Sequence, residues 1–121
     1  KKDKQLLNKV VKHIKQVTRH KSFKVSSVYI YGELGVYIAK SCFNQPQIGI
    51  DFEAIKEFIL ENPGKDLESE IYTTILHELK HADQDKENRL EVDNQELEDE
   101  AEDYGKYIYY LILQGKEDIT L

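Results

Sequence analysis

His77-Glu78-Leu79-Lys80-His81 is the stretch of this chain with the plainest chemical content. On a helix, histidines four apart lie about 40° apart in azimuth and roughly 6 Å apart along the axis, so both imidazoles can grip one cation. Glu78 falls between them along the axis, where its carboxylate reaches a water on that cation rather than the cation itself. Two imidazoles leave a zinc ion short of donors, because a catalytic site has three protein ligands and an open position. A third ligand must come from another element. The chemistry such a set supports is hydrolysis. Zinc lowers the pKa of its water from about 15.7 towards about 7, and Glu78 as general base takes the proton and delivers it to the leaving amine.

The pattern around the motif predicts the helix that carries it. Asp66 can cap a helix from Leu67 to about Gln84. On its wheel Ile71, Ile75, Leu79 and Ala82 form a buried stripe, and Thr73 and Lys80 point away from it. His77, Glu78 and His81 fall on one flank, with Glu78 nearest the apolar edge. A carboxylate at the edge of a core is costly without a partner, and a zinc-bound water would be one. The bland alternative is two surface histidines beside a half-exposed glutamate.

A further helix, about 95–113, supplies candidates for the third ligand. Glu96 to Asp103 holds six acids in eight residues, a run that usually means a solvated face. The wheel separates them. Leu97, Ala101, Tyr104, Ile108, Leu111 and Ile112 form the inward stripe, while Asp99 and Asp103 point to water. Glu98 lies at the stripe's edge beside Ala101 and Gly105, the smallest residues of the helix, where helices can approach closely. Glu98 is therefore the leading third ligand and Glu100 its main competitor. Glu102 lies one turn on, on the same flank.

The rest of the chain predicts α+β architecture in a single domain spanning 1–121. Leu6, Leu7, Val10, Val11, Ile14 and Val17 mark an amphipathic N-terminal helix over 2–18. Residues 25–31, 35–39 and 47–51 read as three short strands, with turns at Gly32-Glu-Leu-Gly35 and Asn44-Gln-Pro46, so a mainly antiparallel meander is expected. Asp51 can cap a helix over 52–61 that stops at Asn62-Pro-Gly64. Residues 85–95 read as a loop, and Ile119-Thr-Leu121 as a tail or a last short strand.

The motif and the acidic helix together resemble the gluzincin metallopeptidases. There an HExxH helix is followed by a helix whose ligand glutamate is trailed four residues later by a polar residue and six later by an aromatic. Glu98, Glu102 and Tyr104 match these positions, and Gly105 matches a small residue after the aromatic. The resemblance covers about 67–113. The order of the preceding elements is similar to the compact members, the minigluzincins and the ImmA/IrrE-type proteins. It departs from them in having Glu102 for the commoner Asp or Asn, and Lys80 where many ImmA-type proteins have Gly. The resemblance implies a zincin-like domain with one Zn²⁺ on His77, His81 and Glu98. It also implies that Glu102 accepts a hydrogen bond from the ring of His77. The activity implied is that of a zinc metalloendopeptidase acting on a protein or peptide substrate. Tyr109, His13 and His20 are candidate donors to the oxyanion. An exposed strand, 36–40 or 47–50, could pair with the substrate, and the tail 115–121 could fold over the site.

Composition excludes other classes. The net charge is -6, yet residues 1–24 carry nine Lys and Arg against one acid, so the remainder carries -14. An acidic body argues against general nucleic-acid binding, although the basic first helix could meet phosphates or an acidic partner. The longest apolar run, Tyr107 to Leu113, is seven residues, far short of the ~20 of a membrane span. Cys42 is the only cysteine; it cannot form an intramolecular disulfide, and a reducing compartment, the cytoplasm, is the default. With neither a signal peptide nor an initiator Met, the chain reads as a trimmed or excised domain. Two competing readings remain: a zinc-binding protein-recognition domain with weak or lost activity, and a nucleic-acid-associated domain with structural zinc. The oligomeric state stays open.

Overall fold

The computed structural model describes residues 2–39 and 44–121; Cys42 and the end of the expected 36–40 edge lie outside them. The elements in chain order are α1 (Lys2–Val17), β1 (Lys24–Ser27), β2 (Gly35–Ile38), β3 (Gln47–Ile50), α2 (Phe52–Glu61), α3 (Leu67–Lys86) and α4 (Gln95–Leu113). The result is a small α+β domain of four helices and a three-stranded mixed sheet. Among the described residues no helix is long and apolar enough to cross a membrane.

Each helix forms where its sequence permits. In α1 the stripe Leu7, Val10, Ile14 and Val17 is buried, and the lysines between face water. Asp51 caps α2 by accepting from the N–H of Ala54, Asp66 caps α3 through Ser69, and Asn94 caps α4 through Leu97. Helix α3 runs two residues beyond the expected Gln84, because the end of an apolar pattern does not end backbone hydrogen bonding. It is closed at Asn88, which takes a left-handed φ of 59° while the Arg89 N–H bonds back to the Gln84 carbonyl at 2.8 Å.

The sheet corrects the meander. Its order is β1-β3-β2, with β1 parallel and β2 antiparallel to β3, so β3 is central and 47–50 is not an edge. The expected first strand, 25–31, ends at Ser27, and Tyr29 and Tyr31 are exposed. The chain reverses direction there without pairing β1 to β2, passing round the end of β3 and held by Asp51. One Asp51 carboxylate oxygen accepts from the Ile30 N–H at 3.0 Å, and the Asp51 N–H donates to the Leu34 carbonyl at 2.9 Å. These N–H donors hold the Asp51 carboxyl below its ordinary range, Ile30 most strongly and then Ala54. At Gly49 a Cβ would sit 2.6 Å from Val28 Cγ2 and 3.1 Å from Val36 Cγ1. The absent side chain lets both neighbours close over the central strand.

Helix α3 is the axis of the molecule, packed by α1, α2, α4, β2 and β3. The core between them includes Ile14, Phe23, Ile48, Ile50, Ile55, Ile71, Ile75, Leu79 and Ile108, all at 1% exposure or less. Each such side chain contributes about 2 kcal/mol by burial.

The C-terminal segment does not cover the cleft. Thr18 and Ile119 form an isolated parallel bridge, the Ile119 N–H donates to the Val17 carbonyl, and Tyr104 Oη donates to the Leu121 carbonyl at 2.8 Å. With the Tyr104 proton spent there, His20 Nε2, 2.8 Å away, must donate to the phenol oxygen. Burial is the main cause that pushes His20 down to about 4, aided by Arg19 and Lys80 and opposed by Asp83. The fold thus prefers the neutral ring, and the unfolded chain binds more protons between pH 6.5 and about 4. Stability is complete above 6.5 and is expected to fall by roughly 2–3 kcal/mol as the pH drops to about 4. Urea unfolding of wild type and His20→Asn across that range tests this; parallel pH profiles would refute it.

Candidate metal centre

Close packing of α3 on α4 brings the HExxH side chains to the acidic helix. The contact is closest at Gly105, where a Cβ would lie 3.0 Å from the Thr73 carbonyl oxygen and 3.4 Å from the His77 nitrogen. The helices therefore approach backbone to backbone just where His77 faces α4. Glu98 Oε1 stands 3.1 Å from His77 Nε2, and Glu98 Oε2 stands 3.0 Å from His81 Nε2. One donor atom from each of His77, His81 and Glu98 lies within 4.8 Å of the others, a grouping that could hold a metal ion.

Hydrogen bonding on the far side of each ring defines what the near side offers. His77 Nδ1 faces Glu102 Oε1 at 3.2 Å, and a carboxylate can only accept, so a hydrogen bond there is donated by the ring. For His81 the partner is Gln84, which is fully buried. Gln84 Nε2 donates to the Leu97 carbonyl at 3.0 Å and to Glu100 Oε1 at 3.2 Å, which fixes the amide orientation. Its Oε1 therefore accepts from His81 Nδ1, 2.8 Å away. A neutral imidazole has one N–H; His81 directs its far-side nitrogen at Gln84, and His77 has a carboxylate facing each ring nitrogen. Each Nε2 faces a Glu98 oxygen about 3 Å away. A metal ion between the two Nε2 atoms and Glu98 would suit this arrangement, with Glu102 and Gln84 orienting the rings from behind.

Gln84 was not among the candidates read from the sequence. Its signal was faint but present: it follows His81 by three residues on the same helix face. We expect Gln84→Leu to weaken metal affinity 10- to 100-fold, because His81 loses the acceptor that orients it. It should also cost about 1–3 kcal/mol, because the buried His81 Nδ1 loses its partner, while the Leu97 carbonyl keeps its bond within α4. Zinc titration against a competing chelator checks the first; an unchanged affinity would refute it.

Glu100, the competing ligand, is committed elsewhere. Arg89 grips it through Nη1 at 3.1 Å and Nη2 at 2.7 Å, and that pairing is the main reason its carboxyl is pulled down to about 2. Tyr109 is also absent from the site: its ring lies 5.0 Å from that of Tyr72 and does not line the cleft. His13 bonds the Tyr72 hydroxyl at 2.6 Å, and His20 is held by Tyr104. An aromatic at helical spacing followed the packing, as such residues usually do.

The cleft has a volume of about 910 Å³ and is floored by His77, Glu78 and His81, with β2 along one wall. Glu78 is 7% exposed. Burial, then the charges of Glu98 and Glu33, push its carboxyl up to about 8, against the pull of the Tyr37 backbone N–H. A cation held by the neighbouring ligands would act in the opposite direction. Gly35 adjoins Glu78 from β2: a Cβ there would meet Thr74 Cγ2 at 2.5 Å and Glu78 Oε2 at 3.4 Å.

No protein-family model matches this chain, and comparison with curated proteins and with solved structures likewise returns no match.

Proposed function

We propose that this chain is a zincin-like zinc metallopeptidase of the gluzincin kind. The observation that carries the reading is the donor set itself: two Nε2 atoms and one carboxylate converge, while both outer ring nitrogens face Glu102 and Gln84. In a tetrahedral zinc site with ligands at ~2.0–2.1 Å, neighbouring donors lie roughly 3.3 Å apart. The 3.1 and 3.0 Å separations here run to the two different oxygens of Glu98. One donor atom from each of the three residues lies within 4.8 Å of the others, so a bound ion would draw the set together. His77, His81 and Glu98 would hold the ion, which when bound supplies Lewis acidity towards a peptide carbonyl and the water that attacks it.

The chain's own residues account for the remaining work. Glu78 sits in the cleft floor, sheltered from solvent, and accepts one proton from the attacking water. It returns that proton to the amine as the C–N bond breaks, so water is consumed and a carboxylate and an amine are released. An extended substrate would pair with β2, whose outer edge is unpaired among the described residues. The cleft is open, which favours a narrow, slow peptidase over general digestion.

Elemental mass spectrometry of the purified protein, together with incubation of a peptide library, tests the proposal. About one zinc per chain and cleavage of a subset of peptides are expected. No zinc even after reconstitution would reduce the motif to coincidence.

A further inference from the structure

The cleft carries more negative charge than hydrolysis uses. Glu70 has Lys65 at 3.5 Å and Glu102 has Lys106 at 3.7 Å, so those acids are balanced. Glu78 and Glu98 belong to the centre. Glu33, Glu91 and Asp93 are left over: all three line the cleft, are exposed and make no ion pair with a described residue.

Their positions matter. Glu33 precedes Gly35, whose backbone lies against Thr74 and Glu78 in mid-α3. Glu91 and Asp93 stand apart from it in sequence, in the connection between α3 and α4. Asp93 is held in a left-handed φ of 58° there, and Leu90 and Val92 alternate with the two acids on the cleft wall. A charge set between apolar side chains suits a lysine or arginine, whose methylene stem lies on apolar surface while its head meets the carboxylate.

We infer, resting on the peptidase reading, that the cleft selects extended peptides bearing Lys or Arg, with Glu33 meeting one cationic side chain and Glu91 with Asp93 another. A strand rises about 3.3 Å per residue, so an extended peptide along β2 presents several side chains to the cleft lining at once. Exposed pairs are individually weak, but like-signed groups in a walled cleft act together on binding and encounter.

The test is binding of fluorescein-labelled octapeptides to Glu78→Gln protein in zinc-containing buffer, so that cleavage does not intervene. Three peptides differ only in having Lys, Gln or Glu at two positions. The Lys peptide should bind about tenfold more tightly than the Gln peptide at low salt, with the gap narrowing as salt rises. The gap should close in the triple variant Glu33→Gln, Glu91→Gln, Asp93→Asn. It should persist in Glu96→Gln, Asp99→Asn, Asp103→Asn, which removes as much charge from exposed positions outside the cleft. Equal binding of the three peptides, no binding of any, or equal loss in both triple variants overturns the inference. Charge-selective binding without hydrolysis of a peptide library by wild type sinks the peptidase reading alone; hydrolysis without charge preference sinks only this inference.

Discussion

Glu78→Gln is expected to abolish peptide hydrolysis, by about a thousandfold or more, while leaving metal content unchanged. General-base catalysis is worth roughly 10²–10⁴ in rate, and an amide of the same shape has no basic site. The variant should fold as well as wild type. Glu78 is almost fully buried with its carboxyl pushed up to about 8, so a neutral group there relieves the fold of a charge it accommodates poorly. Cleavage of the best library peptide and zinc content, measured on the same preparations, check both halves. A variant as active as wild type would remove Glu78 from the mechanism. Wild type and variant equally inert towards every peptide, each with full zinc, would leave a protein-recognition domain as the better account.

The second large effect is on the metal. Glu98→Ala should lower zinc affinity by at least about a hundredfold, since it takes one of three ligands from the ion. Zinc should raise the unfolding temperature of wild type: a ligand at a thousand times its Kd stabilises by about 4 kcal/mol. That shift should vanish in Glu98→Ala and on addition of chelator. Glu98 is half exposed, so its removal does not open the core. Glu100→Ala is the informative comparison. It releases Arg89 and part of the hold on Gln84, and it should alter stability while zinc remains bound. Zinc lost from Glu100→Ala and kept by Glu98→Ala would reverse the ligand assignment.

The first helix bears on the third, nucleic-acid reading. Part of its positive charge is already answered within the domain: Lys9 pairs with Glu68 at 2.8 Å, and Lys15 lies over the Phe23 ring. Asp3, the lone acid of that segment, binds Lys56 from α2. These contacts suit a helix that packs through its apolar stripe and spends some of its lysines on neighbours.

What the sequence determined by itself was whatever one element can encode. Helical periodicity located α1, α3 and α4, and the capping residues Asp51 and Asp66 were legible because a cap acts within three residues of itself. The flank shared by His77, Glu78 and His81 follows from helix geometry alone. The wheel and the small residues Ala101 and Gly105 put Glu98 ahead of Glu100 as the acid expected nearest α3, and in the structure Glu98 lies within 3.1 Å of both rings. Strand order was beyond such reasoning. Local turn signals suggested a hairpin between the first two strands, whereas the link passes round β3 because Asp51 binds Ile30 and Leu34 from a distance in sequence. Tertiary packing alone decided that β2 flanks the cleft, that Arg89 withdraws Glu100, that the C-terminal segment lies on α1 and Tyr104, and that Tyr109 serves Tyr72. It also gave Gln84 its role, since a buried amide is oriented by the acceptors that surround it, and Leu97 and Glu100 reach it only once α4 has docked on α3.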